Sequence, residues 1–213
     1  RVTKGVYEFG SVFKTFTLAA AFHEGILEPQ TQFNNLEKKL KCGKNTISEY
    51  DNKIPSDLSA EQILIRSGNI GSVRIGQSLG IEKFRKFMDK LNLINSVKFD
   101  IEEIGVPIPF NWGKCKLATI SYGHGITTTI LQLANAYSVI VNGGYEIQST
   151  LIKKNIYKKR EKILNNDVSE KINPILRKIV TTKEGTATLA NVEGYEVGGK
   201  TGTAQKSING VYS

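Results

Sequence analysis

Residues 7–25, YEFGSVFKTFTLAAAFHEG, contain the stretch that decides the fold. From Ser11 to Phe22 the side chains are apolar almost all round the helical wheel, and Gly25 follows as a stop signal. A helix on the surface would instead alternate an apolar face with a polar face. The pattern therefore predicts a buried helix that ends near Gly25.

Within this apolar stretch, Lys14 follows Ser11 by about one helical turn. Residues at this spacing share a helix face, so we expect Ser11 Oγ and Lys14 Nζ to come within hydrogen-bonding reach. A serine hydroxyl is a weak nucleophile until a base takes its proton, and burial near a second cation favours the neutral, basic form of a lysine. The pair is a candidate nucleophile and base, although an isolated Ser-x-x-Lys pattern has little specificity.

Two capping boxes mark further helix starts, at Ser59 and at Thr129, each followed three residues later by a Gln. The first helix is expected to run into a loop at 66–69, and the second to end at 142–144, Asn-Gly-Gly.

Two more helices are predicted from apolar spacing. One begins at Ile81 and places its aromatic residues on a single core-facing side. The other spans 169–180, with Pro174 near its first turn, where a missing N–H is tolerated.

The end of the chain has a different character. Residues 195–205, YEVGGKTGTAQ, are rich in Gly and Thr, and Asn209-Gly210 is a type I′ hairpin signal. We predict a strand, a tight turn and a second strand that is cut off after a few residues. Because a strand without its partner leaves backbone groups unpaired, we expect the chain to be a fragment of a longer protein.

Composition excludes some functions. The net charge of +9 suits an anionic partner in general, but the lysines are scattered and no nucleic-acid-binding signature accompanies them, so we expect no nucleic-acid binding. Cys42 and Cys115 lie far apart without metal-ligand spacing, so they favour free thiols and allow at most one disulfide, whose formation stays open. His23 and His124 are isolated too, and we expect no metal and no cofactor.

The Ser11–Lys14 pair gains specificity from two later triplets. Ser67-Gly68-Asn69 and Lys200-Thr201-Gly202 follow it in the order of the Ser-x-x-Lys, Ser-x-Asn and Lys-Thr-Gly motifs of the serine penicillin-recognising enzymes.

The sequence resembles the transpeptidase domain of class B penicillin-binding proteins. YEFGSVFK (7–14) is similar to the family's YEPGSTFK, and RSGNIG (66–71) is similar to KSSNVG. SYGHGITTTILQLANAYSVIVNGG (121–144) resembles SFGYGxxVTPLQLAxAYAxxxNGG, and GGKTGTAQ (198–205) resembles xxGKTGTAQ. The departures lie beside the functional positions and not at them: Phe9, Val12, Gly68 and Ile130.

This resemblance implies an α+β fold of the α/β sandwich type shared with serine β-lactamases, a helical subdomain with an incomplete antiparallel sheet. Residues 1–213 would form a single transpeptidase domain that is truncated at both ends. Of the family's five-stranded sheet, the chain would hold the strand bearing Lys200 and the beginning of its neighbour. We expect the isolated fragment to have low stability and little activity.

The resemblance also implies roles for particular residues. Five match the positions that react or move protons: Ser11 as the acylated nucleophile, Lys14 as its general base, Ser67 as a proton relay, Asn69 as the group that holds Lys14 and the substrate carbonyl, and Lys200 as a charge that lowers the pKa of Lys14 and attracts a carboxylate.

Three more match substrate-binding positions. Thr201 and Thr203 would bind the substrate's terminal carboxylate, and Gly202 would let a substrate backbone lie along the strand edge. The backbone N–H groups of Ser11 and Thr203 would form an oxyanion hole.

The implied activity is peptidoglycan D,D-transpeptidation, in which D-Ala-D-Ala stem peptides acylate the serine, D-Ala leaves, and an amine of a neighbouring stem accepts the acyl group. β-Lactams would acylate the same serine. The implied partners are wall-synthesis and division proteins, including a glycosyltransferase. The implied location is the extracytoplasmic face of the bacterial membrane, with an N-terminal anchor outside this chain; division and elongation roles both stay open.

Other functions share part of this motif set. A β-lactamase would need a base that hydrolyses the acyl-enzyme, and Glu102 and Glu103 are candidates, but FDIEEIGVPIP (99–109) is more similar to a transpeptidase loop. A β-lactam-sensing receptor domain and a D,D-carboxypeptidase are the further alternatives. The SYGHG and LQLANAY segments favour the transpeptidase.

Overall fold

The apolar stretch at the start of the chain forms the central helix of the core. In the computed structural model, which describes residues 2–153, 160–203, 207–208 and 211–212, a 3₁₀ turn at Gly10–Phe13 leads into helix α1, Lys14–His23. Every residue from Lys14 to Phe22 is buried. Gly25 follows with a φ of 63°, which a glycine adopts without strain, so the predicted buried helix and its glycine stop are confirmed.

In the described part of the chain, five further helices pack around or near α1. They are α2 (Ala60–Ile65), α3 (Asn69–Lys90), α4 (Lys114–Ile120), α5 (Ile130–Val141) and α6 (Asn166–Thr181), and a 3₁₀ turn follows at Thr188–Ala190. Helix α1 contacts α2, α3 and α6, so the core surrounds it. Phe16 and Phe22 of α1, and Phe13 directly before it, are completely buried. Burial of each stabilises the fold by about 1.5–3 kcal/mol.

Both predicted capping boxes are present. Ser59 and Gln62 satisfy each other's backbone N–H groups at the start of α2, and Thr129 and Gln132 do so at the start of α5. Helix α5 ends at Val141 with Asn142 as its C-cap, in agreement with the predicted end at 142–144.

Helices α3 and α6 differ from the prediction at their starts. Helix α3 begins at Asn69, which the sequence placed in a loop, and Gly80 (φ 76°, ψ 167°) interrupts it before the predicted amphipathic part. Helix α6 begins at Asn166, with Asp167 in its first turn, where the helix dipole favours an acidic side chain. Pro174 therefore lies inside the helix, and its predicted place near the first turn is wrong.

Within the described residues, the strands form four separate two-stranded antiparallel ladders. The strands are β1 (Val6–Tyr7), β2 (Gln32–Phe33), β3 (Lys39–Cys42), β4 (Asn45–Ser48), β5 (Leu58–Ser59), β6 (Thr128–Thr129), β7 (Ser207–Ile208) and β8 (Val211–Tyr212). The ladders pair β1 with β6, β2 with β5, β3 with β4 and β7 with β8. The molecule is thus a mixed α+β structure with small sheets, as predicted.

The predicted strand around Lys200 is not formed in residues 195–203. Along this segment the Gly199 N–H donates to Leu176 O at 3.1 Å, and the Arg177 guanidinium donates to Val197 O at 2.7 Å. The segment therefore rests on α6, because none of the strands in the described ranges lies beside it to complete a ladder. The antiparallel pairing of β7 with β8 agrees with the predicted hairpin, whose turn at Asn209-Gly210 lies outside the described residues.

A disulfide joins Cys42, at the end of β3, to Cys115, in the first turn of α4, with the two Cα atoms 5.4 Å apart. The sequence favoured free thiols, and that expectation is wrong. Sequence spacing does not report which segments meet in space, and here the β3–β4 hairpin folds against α4. In the part of the chain that the structure describes, no helix is both long enough and apolar enough to cross a membrane.

Removing this disulfide should lower the free energy of unfolding by about 2–4 kcal/mol, because the crosslink restricts the unfolded chain. The Cys42→Ser/Cys115→Ser double variant and the native protein can be compared by urea denaturation. A reductant should lower the midpoint of the native protein toward that of the variant and leave the variant unchanged. Equal midpoints for both proteins without reductant would contradict the stabilising role.

Candidate active site

A cleft of about 990 Å³ lies where several segments of the chain meet. These segments include the 3₁₀ turn before α1, the β3–β4 hairpin, residues 67–69, α4, the loop at 121–125 and residues 201–203. Five of the residues singled out from the sequence line it: Ser11, Ser67, Asn69, Thr201 and Thr203. Segments that are remote in sequence are therefore brought to one cavity.

The amine of Lys14 is buried beneath this cleft, with 1% of the residue exposed. Lys14 Nζ donates to the backbone carbonyl of Ser67, lies 3.1 Å from Ser67 Oγ and 2.7 Å from Asn69 Oδ1. Burial, and then the positive charge of Lys200, lower the pKa of Lys14 well below its usual range, while Glu49 opposes this shift. The environment thus favours the neutral amine, which can accept a proton.

Ser67 is held in a strained backbone conformation. Its φ is 58°, in the left-handed region that favours glycine. The Ser67 N–H donates to Leu64 O and the Gly68 N–H donates to Ile63 O, which is the Schellman pattern that closes α2. Ser67 therefore occupies the position where glycine is usual, and this turn directs both its carbonyl and its hydroxyl at Lys14.

Asn69 is fixed from three directions at the first turn of α3. Its Oδ1 accepts from Lys14, its Nδ2 donates to Ser48 O at 2.8 Å, and its backbone N–H donates to Glu49 Oε2 at 2.7 Å. The hydrogen-bond partners thus decide which end of the amide faces Lys14.

Ser11 lies in the 3₁₀ turn at the mouth of the cleft. Both Ser11 and Lys14 are among the described residues, and no hydrogen bond joins their side chains, although the sequence led us to expect them within reach. The Lys14 amine is engaged by Ser67 and Asn69 instead. Hydrogen bonds between catalytic groups are often long in ligand-free proteins and tighten when substrate binds.

Thr201 and Thr203 line the cleft, and Lys200 and Gly202 are their neighbours in the chain. Burial lowers the pKa of Lys200 to about 8, and its amine donates to Thr201 O at 2.9 Å. Thr201 Oγ1 lies 2.8 Å from Thr186 Oγ1, a cleft residue that the sequence did not single out.

Gly202 is in close contact with the turn that carries Ser11. A Cβ built on Gly202 would lie 2.7 Å from Phe9 O and 2.6 Å from a methyl group of Val12. The missing side chain therefore lets this segment approach the Ser11 turn. The sequence analysis explained Gly202 only by the space that a substrate backbone needs.

The loop at 121–125 is locked to the same turn. Gly123 has a φ of 91°, and a Cβ at this position would lie 1.8 Å from Gly10 O. Ser121 is completely buried, and its carbonyl accepts from Thr17 Oγ1 of α1 at 2.8 Å. The SYGHG segment thus packs against the Ser11 turn and the start of α1 and limits their movement.

Glu8 and His124 lie within the YEFGSVFK and SYGHG segments but were not predicted as site residues; their side chains face each other at 3.8 Å on one wall of the cleft. Glu49, between the cleft residues Ser48 and Tyr50, carried no sequence signal, and its carboxylate accepts the Asn69 N–H at the start of α3. In contrast, Glu102 and Glu103 are exposed and are not among the described residues that line the cleft. Across the described ranges, no group of three or more His, Cys, Asp or Glu residues is placed to hold a metal ion.

The family model described as "Penicillin binding protein transpeptidase domain" matches residues 1–212. The chain belongs to this family. The predicted family resemblance is therefore confirmed over almost the whole sequence.

Relatives within the penicillin-binding protein transpeptidase family are known from several bacteria. The chain is 30% identical to the "Probable peptidoglycan D,D-transpeptidase FtsI" of Caulobacter vibrioides, covering 97% of this chain and 35% of the relative. It is 29% identical to the "Probable peptidoglycan D,D-transpeptidase PenA" of Neisseria flavescens, covering 100% of this chain and 52% of the relative. The chain therefore spans between about a third and a half of the length of these relatives.

A solved structure supports the fold. The apo TP domain of penicillin-binding protein 3 from Burkholderia pseudomallei superimposes with a TM-score of 0.91 at 26% identity, over 100% of this chain and 65% of that one. The predicted penicillin-binding transpeptidase fold is thereby confirmed, while the catalytic roles of individual residues stay predictions.

Substitution of Gly123 tests how tightly the loop is locked to the Ser11 turn. Gly123→Ala should cost more than the about 1–2 kcal/mol of a left-handed backbone, because its Cβ collides with Gly10 O. Gly25→Ala is the matched control, since its φ is 63° and nothing lies within 4 Å of the added Cβ. Urea denaturation of both variants measures the difference, and equal costs would show that the contact is not restrictive.

Proposed function

We propose that this chain carries the acyl-transfer site of a peptidoglycan D,D-transpeptidase of the serine type. The observation that carries the proposal is the buried Lys14 amine, which Ser67 and Asn69 hold beneath a cleft that Ser11 lines. Burial and a nearby cation favour the neutral form of a lysine, which can act as a base and activate a nearby serine.

The first half-reaction transfers the donor stem to Ser11. As Ser11 Oγ attacks the carbonyl carbon of the penultimate D-Ala, Lys14 Nζ takes the hydroxyl proton. The carbonyl π electrons move to oxygen, and the N–H groups of Ser11 and Thr203 stabilise the oxyanion by about 3 kcal/mol per donor. Collapse of this intermediate breaks the peptide bond, D-Ala leaves with a proton on its nitrogen, and an ester remains on Ser11.

Ser67 is suited to relay that proton. Its Oγ lies 3.1 Å from Lys14 Nζ and faces the cleft, so it can accept a proton from the protonated lysine while it donates its own to the leaving nitrogen. A neutral lysine amine has two hydrogens, which the carbonyl of Ser67 and Oδ1 of Asn69 accept, and one lone pair. The lone pair is then left for a serine hydroxyl.

In the second half-reaction, the amine of a neighbouring stem attacks the ester. The amine's proton passes through the Ser67–Lys14 pair to Ser11 Oγ as the ester bond breaks. Before the first half-reaction, Lys200, Thr201 and Thr203 would bind the donor's terminal carboxylate, since the two threonines line the cleft and the amine of Lys200 lies 2.9 Å from Thr201 O. A β-lactam, whose amide bond is cleaved in the same attack, would leave a stable ester on Ser11.

The cellular location and the partners of the protein follow from the same proposal. The relatives named above are peptidoglycan D,D-transpeptidases, so we place this site on the extracytoplasmic face of the membrane, where its substrate lies. The Cys42–Cys115 disulfide supports this location, because disulfides persist in oxidising compartments. A membrane anchor, a glycosyltransferase and division proteins are its proposed partners.

Mass spectrometry of the intact protein with benzylpenicillin tests the proposal. We expect one adduct on Ser11, no adduct in Ser11→Ala, and acylation slowed by about a hundred-fold or more in Lys14→Met, since a general base contributes about 10²–10⁴ in rate. Ser56→Ala is the control, because Ser56 is exposed and its hydroxyl bonds only to its neighbour Asp57. An adduct that persists in Ser11→Ala would overturn the assignment.

A further inference from the structure

Glu49, directly after strand β4, makes contacts that the proposed reaction does not use. Its carboxylate accepts the Asn69 N–H at 2.7 Å through Oε2 and the Ile70 N–H at 2.9 Å through Oε1. Gly68, the residue before the helix, has no side chain that could do this. One carboxylate thus takes the place of an N-cap side chain for two of the unpaired donors at the start of α3.

The contacts of the neighbouring residue show what this carboxylate holds in place. The carbonyl of Ser48 accepts from Asn69 Nδ2 at 2.8 Å, so the hairpin binds Asn69 through its backbone and through its side chain. The remaining polar atom of that side chain, Oδ1, then points at Lys14 Nζ, 2.7 Å away. The hairpin therefore determines how Asn69 presents its oxygen to the amine.

The hairpin is itself anchored. The Cys42–Cys115 disulfide ties β3 to α4, and β4 is paired with β3 along its whole length. The carboxylate of Glu49 is therefore held against α3 by a hairpin that the disulfide fixes in place. Hydrogen bonds to a charged acceptor at a helix N-terminus are among the stronger ones in proteins.

We propose that Glu49 is a positioning residue for the acyl-transfer reaction: it fixes Asn69, and through Asn69 it fixes the position of the Lys14 amine. This inference rests on the proposed function, since it assigns Glu49 to the same site. Among the described residues, Glu49 makes no hydrogen bond to Ser11; it acts through Asn69 and through the charge that it places near Lys14.

The charge of Glu49 predicts a change in the pH dependence of acylation that helix capping alone would not produce. Among the described residues, the charged groups that act on Lys14 are Lys200, which lowers its pKa, and Glu49, which raises it. Removing the negative charge of Glu49 therefore lowers the pKa of Lys14 further. Because acylation needs the neutral amine, the acidic limb of its pH profile should move to lower pH.

The test measures second-order acylation rates of the intact protein with a chromogenic β-lactam, as a function of pH, for Glu49→Gln and Glu49→Ala. Each variant loses charged hydrogen bonds that hold Asn69, so the limiting rate should fall by about ten-fold or more, while the acidic limb moves to lower pH. Glu37→Gln is the matched control: Glu37 also binds α3, through Arg74 at 2.8 Å, but does not contact Asn69. It should leave the rate and the limb unchanged.

The outcomes separate this inference from the proposed function. If the native protein is acylated at Ser11 but Glu49→Gln reacts at the native rate with an unshifted limb, the positioning role is wrong and the acyl-transfer site stands. A rate that falls equally at every pH, in step with a lower melting temperature, would also overturn it, because capping alone would explain that result. Lack of acylation in the native protein would remove the proposed function itself.

Discussion

Burying the amine of Lys14 in an apolar core costs free energy unless the amine loses its charge or finds partners. The structure provides both, because the core around α1 excludes water while one carbonyl, one hydroxyl and one amide oxygen surround Nζ. The acceptors come from a single short segment, residues 67–69, which joins the end of α2 to the first residue of α3. The position of that segment therefore determines how the amine is held, and several contacts in the structure fix it.

A strained backbone and close contacts hold the residues of the site in position. Ser67 is held in a left-handed conformation by the closing turn of α2, although a glycine would fit there at lower cost. Gly123 and Gly202 approach the Ser11 turn so closely that no side chain fits at either position. The β3–β4 hairpin, which the disulfide anchors, then fixes Asn69 through a hydrogen bond to its side chain. These features are spread over four segments of the chain, and each one limits how far the serine and lysine can move.

Sequence reasoning found the parts of the site that depend on local pattern. The helix around Lys14, the capping boxes at Ser59 and Thr129, and the three motifs are local signals, and residues of all three motifs line or lie beneath one cleft. Sequence reasoning did not find the features that depend on contacts between distant segments of the chain. No spacing rule links Cys42 with Cys115, or Glu49 with the start of α3, and the strand expected at Lys200 needs a neighbour to pair with.

NMR observation of the ¹⁵Nζ resonance of Lys14 in the intact protein, followed through a pH titration, measures the charge state on which the mechanism depends. We expect a midpoint well below the value of about 10.4 for an ordinary lysine, and a higher midpoint in Lys200→Gln, since a nearby positive charge is then removed. A midpoint at or above the ordinary value would mean that Lys14 is charged near neutral pH. Lys14 could then not be the base, and the central role of its burial would be wrong.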